Sequence, residues 1–120
     1  MHEVSLCQQL ASAVTRAAGR RVVETVHVDV GALRQVVPEA MHFAWGAVVR
    51  GTPLDDAQLQ MRELPAVIRC LDCGTESQLG PELGFSCRAC GSADTQVVSG
   101  EQFLLRAIDV MTVPVRESPG

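Results

Sequence analysis

The sequence contains no lysine and no tyrosine, and its aromatic residues are three phenylalanines and one tryptophan. All ten basic residues are arginines, which excludes Schiff-base chemistry on a lysine. With a net charge of −4 and so few aromatics, there is neither a basic stripe nor a stacking platform, and nucleic acid is not an expected partner. No run approaches the roughly 18 consecutive apolar residues that a membrane span requires. The first ten residues lack the basic and long apolar regions of a secretory signal, since Glu3, Gln8 and Gln9 interrupt them. These absences predict a cytoplasmic protein with no membrane partner. A nucleophile-elbow motif and a phosphate-binding glycine loop are missing too, so no enzyme is expected. At 120 residues, the chain fits one compact domain with a small excursion that cannot build a core of its own.

What is present is alternation between helical and strand patterning. From Val4 to Ala18 the apolar residues Val4, Leu6, Cys7, Leu10, Ala11, Val14, Ala17 and Ala18 share one arc of a helical wheel, with Gly19 as a stop signal. From Val22 to Val30 the period changes to two: Val22, Val26, Val28 and Val30 face one way, and Thr25, His27 and Asp29 the other. Pro38 suits the first position of a second helix, whose buried side is expected to carry Ala40, Met41, Phe43, Ala44, Ala47 and Val48. Glu39, His42, Gly46 and Arg50 fall on its outer side. A turn at Gly51-Thr52-Pro53 precedes a strand from Ala57 to Leu64, and a last strand is expected from Glu101 to Val113 before a fraying tail. His27 and His42 read as solvated surface residues. Cys7, on the apolar arc of the first helix, reads as a small buried hydrophobe.

Cys70 to Gly100 differs in character, with five glycines and little hydrophobic periodicity. Cys70-Leu-Asp-Cys73-Gly and Cys87-Arg-Ala-Cys90-Gly form two C-x2-C pairs thirteen residues apart. That spacing lets both thiolates of a pair turn onto one ion, and Gly74 and Gly91 permit the positive φ of such a turn. Two facing turns complete a tetrahedral thiolate shell suited to structural zinc. Two disulfides are the alternative, disfavoured by the odd number of five cysteines and the missing export signal. A complete thiolate shell leaves no position open for catalytic water. Arg69 and Arg88, each beside a ligand, are placed to offset part of its charge. Zinc would fold this segment, which has too little apolar surface to order itself.

The opening Met1-His2-Glu3 carries a second possibility. A free α-amine titrates at about pH 8, so a metal can displace its proton. The amine of Met1, the amide nitrogens of His2 and Glu3, and the imidazole of His2 supply four nitrogens, a set that suits nickel(II) or copper(II). The first amides of a helix have no intrahelical acceptor and are available. Taken alone, the motif is a weak signal, and an ordinary exposed terminus is the reading it favours.

In combination these features resemble a known family. The opening Met1-His2-Glu3-Val4-Ser5-Leu6, the strand and turn Val26-His27-Val28-Asp29-Val30-Gly31-Ala32-Leu33, Val37-Pro38-Glu39-Ala40 with Phe43-Ala44-Trp45, and the two CxxCG pairs together resemble the HypA/HybF nickel-insertion proteins from Met1 to about Val113. The resemblance implies a nickel metallochaperone. Nickel would be held by the Met1 amine, the His2 side chain and amide, and the Glu3 amide; zinc by Cys70, Cys73, Cys87 and Cys90. It implies delivery to the [NiFe] hydrogenase large-subunit precursor, work with the nickel-binding GTPase HypB and, in some members, with urease accessory proteins, as a monomer or weak homodimer. Any GTP hydrolysis would come from that partner. Histidines that flank the cysteine pairs in some members have no counterpart here, where Gly74, Thr75, Gly91 and Ser92 stand, so an acid-sensing zinc site is not expected.

The expected fold is therefore α/β in the α+β sense: two helices packed on a small mixed sheet, with an inserted zinc-ribbon-like domain. Residues 1–69 with 101–113 would make the nickel-binding domain, 70–100 the zinc domain, and 114–120 a flexible tail. The competing reading is a zinc-ribbon protein-interaction module without a nickel site.

Overall fold

A computed structural model describes residues 2–79 and 84–111. Helix α1 runs His2–Ala18 and strand β1 Val23–Gly31; a 3-10 turn at Ala32–Arg34 leads to helix α2, Pro38–Val49. Strands β2 (Gln58–Leu64), β3 (Val67–Cys70), β4 (Glu76–Gln78), β5 (Thr95–Ser99) and β6 (Phe103–Val110) follow. They form two three-stranded sheets, ordered β2-β1-β6 and β4-β3-β5. The class is α+β, as expected. Thr112 and Val113 of the predicted last strand, and the tail 114–120, lie outside the described residues.

The described residues divide into two compact units: 2–28, 37–60 and 105–111 in one, 29–36 and 61–104 in the other.

In the first unit, Leu6, Cys7, Leu10, Val14 and Ala18 of α1 are buried at helical spacing. Gly19 ends α1 at φ +62, its N–H bonded to the Thr15 carbonyl at 3.1 Å. Helix α2 starts with Pro38 in its first turn, where a missing N–H costs nothing. Its buried residues are Met41, Ala44, Trp45 and Val49. Phe43, expected inside, is 80% exposed. The helix carries apolar residues on two sides, and the side with the larger set, closed by Trp45 and Val49, is the one turned inward. Trp45 donates its indole N–H to the Ala57 carbonyl at 2.9 Å. The two helices meet where the buried Cys7 thiol points at the Met41 carbonyl and sulfur, 3.6 and 3.7 Å away. Burial pushes the Cys7 thiol up to about 11, so it is a protonated packing residue, as the apolar arc predicts.

Val23, Val26, Val28 and Val30 of β1 are buried, whereas Val22, expected to share that face, precedes the strand and is 53% exposed. Strands β1 and β6 run antiparallel, bracketed by Gly31 N–H to the Gln102 carbonyl and Met111 N–H to the Val22 carbonyl, both 2.8 Å. Two side chains read as outward-facing are engaged: His27 pairs with Asp109 at 2.8 Å, and the His42 ring lies against the Pro38 and Leu59 carbonyls at 2.7 and 2.9 Å.

In the second unit, Asp29, also read as outward-facing, is buried and accepts two bonds from the Arg62 guanidinium, at 2.7 and 3.1 Å. Here Gly31 meets Gly100 so closely that a Cβ on Gly31 would lie 2.0 Å from the Gly100 carbonyl oxygen. Strand β3 pairs antiparallel with β4 and with β5, with a register shift at Val67/Ile68. These strands are only three to five residues long, with β4 and β5 rich in Ser, Thr and Gln, and carry too little alternation to be read from the sequence.

Candidate metal centres

The four paired cysteines are carried on two turns of the same construction. In the first, which leaves the end of β3, Cys70 N–H bonds the Thr75 carbonyl and Gly74 N–H the Cys70 carbonyl, both at 2.9 Å. In the second, Cys87 N–H bonds the Ser92 carbonyl at 2.8 Å and Gly91 N–H the Cys87 carbonyl at 2.9 Å. Gly74 and Gly91 sit at φ +79 and +76, the left-handed conformation that the turn demands at those positions.

The turns face each other. The sulfurs of Cys70, Cys73, Cys87 and Cys90 all lie within 4.8 Å of one another. Cys70 to Cys90 is 3.5 Å and Cys73 to Cys87 is 3.7 Å. A disulfide needs about 2.0 Å, whereas four sulfurs each about 2.3 Å from a central zinc are spaced by about 3.8 Å. The spacing fits the metal, and all five cysteines are free thiols. Backbone N–H groups point at the sulfurs from behind: Cys73 N–H at Cys70 Sγ (3.4 Å), Ala89 and Cys90 N–H at Cys87 Sγ (3.3 and 3.5 Å). Such donors favour thiolates and orient them.

The electrostatics point the same way. The Thr75 hydroxyl and backbone bring the Cys73 thiol down to about 6. The Cys90 N–H, then that of Ala89, lowers Cys87. Cys90 is driven up to about 12: the Ser92 backbone N–H resists the rise, while the Cys70 thiol, burial and the other two thiols cause it. Four thiolates repel one another unless a cation sits among them, so the group is built for a divalent ion and can hold one such as zinc. Arg69, read as a counter-charge, has its guanidinium 2.8 Å from Glu76. In the sequence Thr75 stands out only as a position without a flanking histidine; its role as a donor to Cys73 is carried by a hydroxyl two positions after the second cysteine of a pair.

At the other candidate centre, α1 begins at His2, two residues earlier than the periodicity indicates. His2 is half-exposed, its Nε2 lying 3.7 Å from a Glu3 carboxylate oxygen. Glu3, expected to offer only its amide, has a buried side chain, 7% exposed. Met1, and with it the amine, lies outside the described residues.

A family model described as hydrogenase/urease nickel incorporation, metallochaperone, hypA, matches residues 1–110. The chain belongs to the HypA family. It is 37% identical over 110 residues to hydrogenase maturation factor HypA of Geotalea uraniireducens, covering 92% of this chain and 99% of that one. It is 32% identical over 115 residues to that of Nostoc sp., covering 96% and 100%. The solution structure of the Ni metallochaperone HypA from Helicobacter pylori shares its fold, at a TM-score of 0.68 over 92% of this chain and 98% of that one with 17% identity. HypA proteins are a metallochaperone family of hydrogenase maturation. No helix among the described residues is long and apolar enough to cross a membrane.

Proposed function

We propose that this HypA-family chain is a cytoplasmic nickel carrier. It binds Ni(II) through the Met1 amine, the amide and imidazole of His2 and the amide of Glu3, and hands it to the [NiFe] hydrogenase large-subunit precursor, with the GTPase HypB as its working partner. Urease maturation is a second outlet for the same cargo. A structural zinc ion held by Cys70, Cys73, Cys87 and Cys90 fixes residues 70–100 as an inserted domain, and residues 1–69 with 101–113 form the nickel-binding domain.

The supporting observation is where α1 starts. With His2 as its first residue, the amides of His2 and Glu3 belong to a first turn that offers them no acceptor, beside a half-exposed imidazole. Deprotonation of both amides on binding leaves a centre close to neutral, which the positive end of the helix dipole opposes less than a bare dication. A carrier must release its cargo, so binding on the order of micromolar, about −8 kcal/mol, is expected.

The test is native mass spectrometry of untagged protein titrated with nickel, beside His2→Ala. The parent should keep one zinc and gain one nickel, while His2→Ala keeps zinc alone. Equal nickel binding by both, or by neither, would leave a zinc-ribbon interaction module as the better account.

A further inference from the structure

The two cysteine turns are built alike, yet their hydroxyls are used differently. Thr75 and Ser92 hold equivalent places, each two residues after the second cysteine of its turn. Thr75 Oγ1 lies 3.2 Å from Cys73 Sγ. The Ser92 hydroxyl instead donates to the Asp72 carboxylate and accepts the Asp94 N–H at 3.0 Å, so it is committed away from Cys90. Access differs too. Cys70 and Cys87 are 2% and 4% exposed, whereas Cys73 and Cys90 are open to solvent. The short contacts, Cys73 to Cys87 at 3.7 Å and Cys70 to Cys90 at 3.5 Å, each join an exposed sulfur of one turn to a buried sulfur of the other. Among the described cysteines, Cys73 alone combines solvent access, a hydroxyl beside its sulfur and a buried sulfur of the facing turn within reach.

That combination suits reaction with a small hydroperoxide. When an exposed thiolate attacks hydrogen peroxide, the O–O bond breaks, the sulfur gives up two electrons and keeps one oxygen as a sulfenic acid, and the other oxygen leaves as hydroxide. The Thr75 hydroxyl stands where it can turn its proton from the sulfur to the departing oxygen and recover one from water. The Cys87 thiolate then attacks the Cys73 sulfur; a second hydroxide leaves, is protonated, and a disulfide remains. In sum, two thiolates, one hydrogen peroxide and two protons give one disulfide and two waters.

We infer that Cys73 is a modification site for hydroperoxides, resolved by Cys87 of the facing turn, and that this cross-turn disulfide dismantles the four-thiolate site. Only Cys70 and Cys90 then remain as thiolates, too few to hold a zinc ion. The inference rests on the zinc reading proposed above. A dithiol reductant together with zinc should restore the site, because the disulfide, unlike higher sulfur oxides, is reversible.

The test treats the full-length chain, its zinc first counted by native mass spectrometry, with hydrogen peroxide while a chromophoric chelator follows zinc release. Alkylating the remaining thiols and cleaving at Arg69, Asp72 and Arg88 puts Cys70, Cys73 with Cys87, and Cys90 on three separate peptides, so the pairing is read from masses. One zinc should be released as the first disulfide forms, and that disulfide should close within the peptide 72–88. Thr75→Val should slow release about tenfold, the cost of one hydrogen bond to a developing charge. Thr75→Ser should restore the rate, and Ser92→Ala should leave it at the parent value. A chain that binds no zinc overturns the zinc reading together with this inference. With zinc bound, a first disulfide other than Cys73–Cys87, zinc retained under peroxide, or a rate indifferent to Thr75→Val overturns the inference alone.

Discussion

Replacing Gly31 by alanine tests whether the two-glycine contact in the cysteine-bearing unit is a structural requirement. Gly31 has φ −69 and ψ 144, values open to any residue, so backbone conformation gives no reason for glycine there. Space does: the added Cβ would lie 2.0 Å from the Gly100 oxygen, 2.1 Å from its carbonyl carbon and 2.7 Å from Glu101 N. These are main-chain atoms, and relieving the clash requires a shift of about 1 Å or more between the two segments. That shift breaks two 2.8 Å bonds, Gly31 N–H to Gln102 and Leu33 N–H to Gly100. At about 1 kcal/mol each, plus a similar amount per buried group left unpaired, the loss is about 3–5 kcal/mol. Gly100 cannot yield toward β3, because it already packs on Ala66 so tightly that its own Cβ would meet Ala66 Cα at 2.7 Å. Thermal unfolding followed by circular dichroism should show Gly31→Ala melting on the order of 10 °C below the parent. A melting point within a degree or two of the parent would refute the close-approach argument.

Two further predictions rest on single side chains. Trp45→Phe removes the indole donor and leaves the Ala57 carbonyl without that bond in a buried site, which should cost about 1–3 kcal/mol in urea unfolding monitored by far-ultraviolet circular dichroism; a loss below about 0.5 kcal/mol would mean the bond is dispensable. In the folded cysteine-bearing unit with no metal bound, Cys73, held at about 6 against an ordinary 9.0 by the Thr75 hydroxyl and backbone, ionises more readily than in the unfolded chain. Its contribution to stability is therefore complete above about pH 9 and fades as pH falls through about 6. Thiolate absorbance at neutral pH should drop on Cys73→Ser, and Thr75→Val should move the transition upward; a titration unchanged by both would count against the hydroxyl as its cause.

How much was legible varies with the range of the interaction. The α1 stripe ending at Gly19, the proline entry to α2 and the paired CxxCG turns depend on neighbours within a few residues, and each stands in the structure, although Val4 and Ala17 of the stripe are exposed. Phe43 was misplaced because Ala40, Phe43 and Ala47 make a second apolar side on α2, and periodicity does not say which side a fold will cover. Asp29 alternates correctly as a polar position of β1, but Arg62, 33 residues away, is what makes its burial tolerable.

By itself, then, the sequence determined both helices, the longer strands, the four-cysteine cluster that can hold a metal and the family, because helix periodicity, turn glycines and ligand spacing are short-range properties written in consecutive residues. Only the tertiary structure decided why Gly31 must be glycine, that the Glu3 carboxylate is buried beside His2, and that Phe43 faces outward. Those outcomes depend on which distant segments come into contact, and steric exclusion or desolvation acts on a residue only once that contact exists.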